Sequence, residues 1–115
     1  MSERSLELLV YDIWESIEKI ERYTEGMTQE NFQNDEKTTD AVVRNFEIIG
    51  EAAGRLPEDF TDRHSEIEWV KIIGLRNRIV HEYFGVDLPI IWQILQKDLP
   101  AFKASLKNIR YDLID

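Results

Sequence analysis

Residues 74–87 read GLRNRIVHEYFGVD, and this stretch places Arg76, Asn77, Arg78, His81 and Tyr83 within eight positions. An imidazole titrates near neutral pH, so it can take a proton from a ribose 2′-hydroxyl or give one to a leaving oxygen. A guanidinium can bind a phosphate through two hydrogen bonds and stabilise the charge that grows on it. These residue types therefore suit cleavage of an RNA phosphodiester, with the 2′-hydroxyl as nucleophile and without a metal ion.

The spacing of these residues bears on whether one chain could form a closed site. On an ideal helix Arg76 and His81, five positions apart, are separated by about 140° around the axis. Asn77 and His81 would be neighbours at i and i+4, and Arg76 and Tyr83 would share a face after nearly two turns. One chain would then present an open shelf. A cleft would need a second surface, and the obvious one is the same helix of a second copy across a two-fold axis.

Composition narrows the class of protein. The chain has 115 residues and 43% hydrophobic residues, which predicts a single domain over residues 1–115 with a genuine core. It contains no cysteine and no apolar run long enough for a membrane span or a signal peptide, so a cytoplasmic protein without disulfides is expected. The net charge of −9 argues against broad adhesion to nucleic acid or to anionic membranes.

The sequence offers no pattern typical of a metal site. His64 and His81 are far apart, no H-E-x-x-H stretch occurs, and the carboxylates do not follow the spacing of a calcium-binding loop. We therefore expect neither a metal ion nor another cofactor.

Apolar residues recur in steps of three and four along most of the chain, which predicts helices. A first helix is predicted over about residues 4–26, followed by a short helical turn capped by Thr28. A second long helix is predicted over about residues 36–55. The polar stretch PEDFTDRHS after it is predicted to be the main loop.

The second half of the chain predicts two more long helices. The third would open at Ser65, carry the polar cluster and close at Gly85. Asp87 is placed to cap the last helix, and Pro89 is tolerated in its first turn. Pro100 lies inside the apolar pattern, where it removes a helical hydrogen bond, so a kink or break is expected there. The predicted fold is an all-α, up-and-down bundle of four long helices plus a short helical turn.

The three tryptophans are interpreted as packing residues. Trp14, Trp69 and Trp92 each fall on or beside an apolar stripe, which favours core or interface anchors over platforms for stacked bases. His64 lies in the predicted polar loop and is given no role.

The stretch RNRIVHEY, residues 76–83, resembles the R-x-x-x-x-H-x-Y motif of HEPN domains, in particular of the HepT-like toxin subfamily. Three further stretches resemble that subfamily in the same order: AVVRNFEIIGEAAGRLP, IEWVKIIGLRNRIVHEYFGVD and IWQILQKDLPAF. Nearly the whole chain is covered. Glu68 is a departure, because many relatives have a proline before the tryptophan, and it affects a helix start and not the motif.

The resemblance implies a specific activity and partners. HepT-like proteins are metal-independent ribonuclease toxins that form helical homodimers, with the motifs of both subunits lining one cleft. Arg76 and His81 would be the catalytic pair and Asn77 their polar helper. Tyr83 would be the residue to which an MntA-like nucleotidyltransferase antitoxin transfers AMP from ATP. The RNA substrate would be a tRNA or an mRNA.

Plainer interpretations stand beside these roles. Arg78 is off the motif positions and is either a solvated charge or an additional RNA phosphate contact. Tyr83 could cap the core with its ring while its hydroxyl stays in water. As an alternative function, the chain would be a non-catalytic helical partner of a nucleotidyltransferase, with His81 in a structural role.

Net charge opposes RNA binding unless the cleft differs from the rest of the surface. A dimer would carry −18, twice the −9 of one chain. Since RNA binding depends on neutralising phosphates, the cleft would have to be locally positive. Arg76 and Arg78 from both chains, with Lys71 beyond them, are expected to supply that charge.

Overall fold

Two long helices, α1 (Leu6–Thr24) and α3 (Glu36–Gly54), share the most extensive interface of the fold. The structure, a computed structural model, describes residues 4–81 and 85–114, and for Arg76, Val80, His81 and Ile114 it describes the backbone alone. Leu9 near the start of α1 and Ala52 near the end of α3 line the same hollow, so the two helices run antiparallel. Both predicted helices are confirmed.

Polar side chains fix where these helices begin. The Ser5 hydroxyl accepts a hydrogen bond from the Leu8 N–H at the start of α1. The Asp35 carboxylate accepts from the backbone N–H and the hydroxyl of Thr38 at the start of α3, and these bonds lower the pKa of Asp35. Between them lies the predicted short turn, α2 (Gln29–Gln33), capped by Thr28.

The core is apolar and occupies the space between α1, α3 and the C-terminal helices. Each helix contributes one stripe, because residues three and four apart share a face. The residues with no accessible surface in this core are Ile13, Ile17, Ile20, Phe32, Val42, Phe46, Ile49, Ile79, Ile91 and Leu106.

The prediction that PEDFTDRHS is a loop was wrong. Residues Glu58–Arg63 form a short helix, α4, that follows Pro57. Phe60, only 1% exposed, anchors this helix in the core, and the polar residues around it form its solvated face. A single buried aromatic residue in a polar stretch was too weak a periodic signal to indicate a helix.

The predicted continuous helix from Ser65 to Gly85 was also wrong. The chain forms two short helices, α5 (Trp69–Ile73) and α6 (Leu75–Ile79), which Gly74 separates. Beyond α6 the backbone becomes extended: β1 (Val80–His81) pairs antiparallel with β2 (Gly85–Val86). Glycine has low helix propensity, and Gly85 has a φ of +85°, a left-handed conformation that favours glycine.

The last helix begins where the sequence predicted, and it is irregular near Pro100, where a kink or break was expected. The Asp87 side chain accepts from the Ile90 N–H and caps α7 (Leu88–Gln93). A π-helical turn (Ile94–Asp98) follows and leads into α8 (Leu99–Ile114). The irregular turn ends two residues before Pro100. This turn is the irregularity that the sequence predicted near Pro100, since proline lacks the N–H that a regular helix needs.

The five-residue helices of the second half are held against α3 by a close backbone approach. A Cβ added to Gly50 of α3 would lie 3.2 Å from the Ile73 carbonyl oxygen and 3.4 Å from that of Ile72. Glycine therefore lets α5 approach α3 more closely than a larger residue would. No helix in the described part of the chain is long and apolar enough to span a membrane.

Candidate functional site

The structure places the predicted site residues on a short helix and an adjoining strand, not on one helix. Arg76, Asn77 and Arg78 lie in α6, and His81 lies in β1, opposite Gly85. The helical spacings expected between Asn77 and His81, and between Arg76 and His81, therefore do not apply. Tyr83 lies outside the described residues, so the prediction that it shares a face with Arg76 is not tested by the structure.

Two buried residues of α6 determine which face of this helix is exposed. Leu75 and Ile79, four residues apart, are 3% and 0% exposed and face the core. Asn77, between them, is exposed. Because α6 packs on both α3 and α7, its orientation is set by these two apolar anchors.

The strand that carries His81 is tied to the start of α7. The Asp87 N–H donates to the Ile79 carbonyl oxygen at 2.8 Å, at the junction of α6 and β1. The Asp87 side chain accepts from the Ile90 N–H at 3.1 Å. One residue therefore closes the hairpin and caps the next helix, which holds the backbone at His81 in register with α7.

The predicted cationic surface is partly neutralised by acids. The Arg78 guanidinium lies 3.1 Å from the Asp98 carboxylate, and the Lys71 ammonium lies 3.0 Å from the Glu68 carboxylate. All four side chains are between 38% and 70% exposed. Exposed ion pairs contribute little to stability, so a phosphate can compete for these cations at small cost.

Arg78 does not lie on the same side of α6 as position 76. Positions two apart on an α-helix are separated by about 200° around its axis. Arg78 faces the π-helical turn, where it reaches Asp98. This placement separates the Arg78 side chain from position 76 around the axis of α6.

Two neighbouring hollows flank the Arg78–Asp98 ion pair. The inner hollow, about 210 Å³, lies between α5 and α8 and has Ile67, Ile72 and Phe102 among its lining residues. The outer hollow, about 490 Å³, lies over α7, with Ile90 and Gln93 in its lining. Both are also lined by Arg78, Lys97 and Asp98. Sequence reasoning missed Lys97, and only the irregularity expected at Pro100 pointed to its neighbourhood.

The tryptophans confirm their predicted packing roles. Trp69 is 7% exposed, donates to the His64 carbonyl oxygen, and meets Phe102 edge to face at 6.2 Å between ring centroids. Trp92 packs on Phe32 at 5.6 Å between ring centroids. Trp14 packs on the core and is covered by Arg110, 4.4 Å from its ring centroid.

The second histidine has an ordinary structural environment. The His64 ring lies 4.7 Å from the Phe60 ring between centroids, and its Nδ1 lies 3.5 Å from the Glu66 carboxylate. Among the side chains that the structure describes, which exclude that of His81, no three acidic or histidine groups converge as metal ligands.

Comparison with known proteins identifies relatives along most of the chain. The family described as "Ribonuclease HepT-like" matches residues 13–109. A protein of Thermococcus cleftensis named "Probable ribonuclease HepT" is 41% identical over 99 residues, which cover 86% of this chain and 90% of the relative. A protein of Caldanaerobacter subterraneus subsp. tengcongensis named "Putative RNase" is 43% identical over 90 residues, 78% of this chain and 80% of the relative.

A third relative extends the match towards both ends. A Methanocaldococcus jannaschii protein, also named "Putative RNase", is 35% identical over 113 residues, 98% of this chain and 93% of the relative. No solved structure matches the chain.

Proposed function

The chain belongs to the HepT-like ribonuclease family, and from that premise we propose that it is a metal-independent endoribonuclease toxin of a cytoplasmic toxin–antitoxin pair. The observation that carries the proposal is the R-x-x-x-x-H-x-Y motif within the matched region. Its first half lies on a helix whose Asn77 is exposed to solvent. The substrate would be a tRNA or an mRNA.

The chemistry follows from the two ionisable groups of the motif. His81 takes the proton from a ribose 2′-hydroxyl, which attacks the adjacent phosphorus, or gives a proton to the leaving 5′-oxygen. Arg76 binds the phosphate and stabilises the negative charge that develops on it. Asn77 supports this arrangement as a hydrogen-bonding neighbour. The nucleophile is part of the substrate, so the step needs no metal ion to generate it.

A homodimer would complete this site by bringing two motifs into one cleft. The sequence predicted a dimer because Arg76 and His81 would be far apart around one helix. His81 lies in a strand, so that angle does not apply. The dimer now rests on the family likeness alone. Sedimentation should give twice the 13.6 kDa of one chain. A monomer that cleaves RNA at the full rate would remove this part of the proposal.

The proposed antitoxin acts on Tyr83. An MntA-like nucleotidyltransferase would transfer AMP from ATP to the tyrosine hydroxyl, which adds negative charge and bulk two residues from His81. Negative charge there would repel RNA phosphates and so inactivate the enzyme.

The catalytic roles are tested by expressing variants without antitoxin and assaying them on purified RNA. Arg76→Ala should abolish toxicity and slow cleavage, whereas Arg63→Ala, which alters an exposed arginine of α4, should leave both unchanged. A 2′-deoxy substitution at the cut position of the RNA should block cleavage. If Arg76→Ala folds yet is as toxic and cleaves RNA as fast as the wild type, Arg76 is not catalytic. A wild type that cleaves no RNA would favour the alternative, a non-catalytic partner of a nucleotidyltransferase.

The modification is tested by intact mass after incubation with an MntA-like nucleotidyltransferase and ATP. The wild type should gain mass in steps of one AMP, and Tyr83→Phe should gain none. Tyr111→Phe, which alters a tyrosine that is 59% exposed, should be modified as the wild type is. An unmodified wild type would reject the role of Tyr83 and leave the ribonuclease proposal standing.

A further inference from the structure

The inner hollow has the mixed lining expected of a nucleotide subsite. Ile67 and Phe102 are buried at its floor and supply apolar surface. Its volume, about 210 Å³, is below the roughly 300–1,000 Å³ of sites that enclose a whole small molecule, so it suits one ring system.

The charges at the rim of this hollow cancel, which argues against a simple anion site. Among its described lining residues, three cations, Lys71, Arg78 and Lys97, are matched by three carboxylates, Glu66, Glu68 and Asp98. A nucleotide needs both kinds of group: carboxylates accept from the amino and imino N–H groups of a base, and cations bind its phosphate.

Lys97 is the cation best placed for the phosphate. It lies in the π-helical turn and lines both hollows, so it stands at the boundary between them. Within the described part of the chain it has no carboxylate partner, whereas Lys71 and Arg78 have one each. Irregular π-helical turns are frequent at functional sites, because they displace side chains from the regular helical path.

The position of the hollow relative to the motif defines which nucleotide it would take. The hollow includes Arg78, which lies two positions from Arg76 in the same five-residue helix, so the hollow is close to the proposed catalytic residues along the chain. It therefore suits a nucleotide that flanks the scissile bond. Single-stranded RNA is commonly read in this way, with a base turned out and packed on protein side chains.

Resting on the proposed ribonuclease function, we propose that the inner hollow binds one base of the RNA substrate beside the cut. Lys97 and Arg78 bind the adjoining phosphate along the outer hollow. This subsite would give the enzyme a sequence preference at a position next to the cleaved bond.

A matched pair of substitutions on α8 tests the subsite. Ala101 and Ala104 are both exposed residues of that helix, but only Ala101 lines the inner hollow. Ala101→Phe should fill the hollow, and Ala104→Phe should not. Lys97→Glu tests the phosphate contact, and Lys107→Glu, which alters an exposed lysine of α8 outside both hollows' described linings, is its control. Circular dichroism shows whether each variant folds. If Ala101→Phe fails to fold, Lys97→Glu still tests the subsite.

Binding is measured separately from cleavage, with a labelled 2′-O-methyl RNA oligonucleotide that cannot undergo attack by its 2′ oxygen. Ala101→Phe and Lys97→Glu should each weaken binding about tenfold, the size of one base-stacking or phosphate contact, and the two controls should bind as the wild type does. Oligonucleotides that each lack one base should identify a single position. Removing the base at that position should weaken binding to the wild type and leave binding to Ala101→Phe unchanged.

The outcomes separate this subsite from the ribonuclease function. If the wild type binds the oligonucleotide with this pattern but cleaves no RNA, the ribonuclease proposal fails, and the inner hollow stands as a base-binding site with no cut beside it. If the wild type cleaves RNA while Ala101→Phe and Lys97→Glu bind and cut as their controls do, the subsite is rejected. A wild type that binds no RNA also rejects it.

Discussion

The pair α1 and α3, called here the frame, differs in construction from residues 69–86, the motif segment. The frame consists of two helices of 19 residues with side-chain caps and a continuous apolar seam. The motif segment contains two five-residue helices, a glycine break and a two-stranded pairing. Val70 in this segment is 85% exposed, a degree of exposure that no apolar core residue of the frame approaches.

The difference assigns separate tasks to the two regions. Long capped helices bury enough apolar surface to hold a fold, whereas five-residue helices depend on their neighbours for stability. In the motif segment the backbone changes from helical at Arg76 to extended at His81, which a single helix could not provide. Stability should therefore be most sensitive to changes in the frame, and activity to changes in the motif segment.

The largest loss of stability is expected at Phe46. This residue of α3 is 0% exposed, and Phe46→Ala should lower the free energy of unfolding by about 3–5 kcal/mol through lost burial and a cavity. Ile73→Ala, in the motif segment and 45% exposed, should cost much less. Urea unfolding of both variants measures the contrast. Equal losses would mean that the two regions do not differ in this way.

A smaller loss is expected where the two regions meet. Gly50→Ala would place a methyl group 3.2 Å from the Ile73 carbonyl oxygen and should cost about 1–3 kcal/mol as α5 is displaced. Gly54→Ala is the control, because its new methyl group would meet the Ile73 Cγ2 at an ordinary 3.9 Å. Thermal unfolding should separate the two variants. A Gly50→Ala protein at least as stable as Gly54→Ala would show that α5 moves freely on α3.

Asp87 tests the link between the hairpin and α7. Asp87→Ala removes the acceptor for the Ile90 N–H and should cost about 1 kcal/mol, whereas Asp87→Asn should retain most of the cap. Asp87→Ala keeps the backbone hydrogen bond from Asp87 to the Ile79 carbonyl oxygen. RNA cleavage should therefore fall only as far as a frayed start of α7 displaces the strand that carries His81. If Asp87→Ala cleaves RNA at the wild-type rate, the cap of α7 does not help to position His81.

The smallest effect is a pH dependence confined to the frame. Asp35 has a lowered pKa in the folded state because it accepts two hydrogen bonds from Thr38. Its stabilisation is complete above the unfolded pKa and is lost as the pH falls through the folded pKa. Asp35→Asn should match the wild type at pH 7 and lose less stability on acidification. Identical acid unfolding curves would contradict this role of the cap.

The frame could be predicted from the sequence because its signals are local. Regular apolar spacing indicates the two helices of the frame. Outside the frame, the capping side chains of Thr28 and Asp87 indicate the starts of α2 and α7. Phe60 shows the limit: one buried aromatic residue in a polar stretch gave no periodic pattern, so α4 was taken for a loop.

The site could be predicted in its residues and not in its geometry. The apolar pattern continues from Ile67 through Val80, and it conceals the break at Gly74 and the change to a strand at position 80. Those changes depend on tertiary contacts, namely the hydrogen bond from Asp87 to the Ile79 carbonyl and the approach of α5 to Gly50. Lys97 was missed for the same reason, because its place beside Arg78 depends on the π-helical turn.

The two histidines provide the most direct test of the central claim that the motif segment performs RNA cleavage. The measurement is the single-turnover rate on a defined RNA, in the presence of EDTA, for the wild type, His64→Ala and His81→Ala. We predict that His64→Ala cleaves at nearly the wild-type rate, and that His81→Ala is slower by roughly 10²–10⁴-fold while it binds RNA equally well. A folded His81→Ala protein that cleaves as fast as His64→Ala would show that His81 is not needed for RNA cleavage.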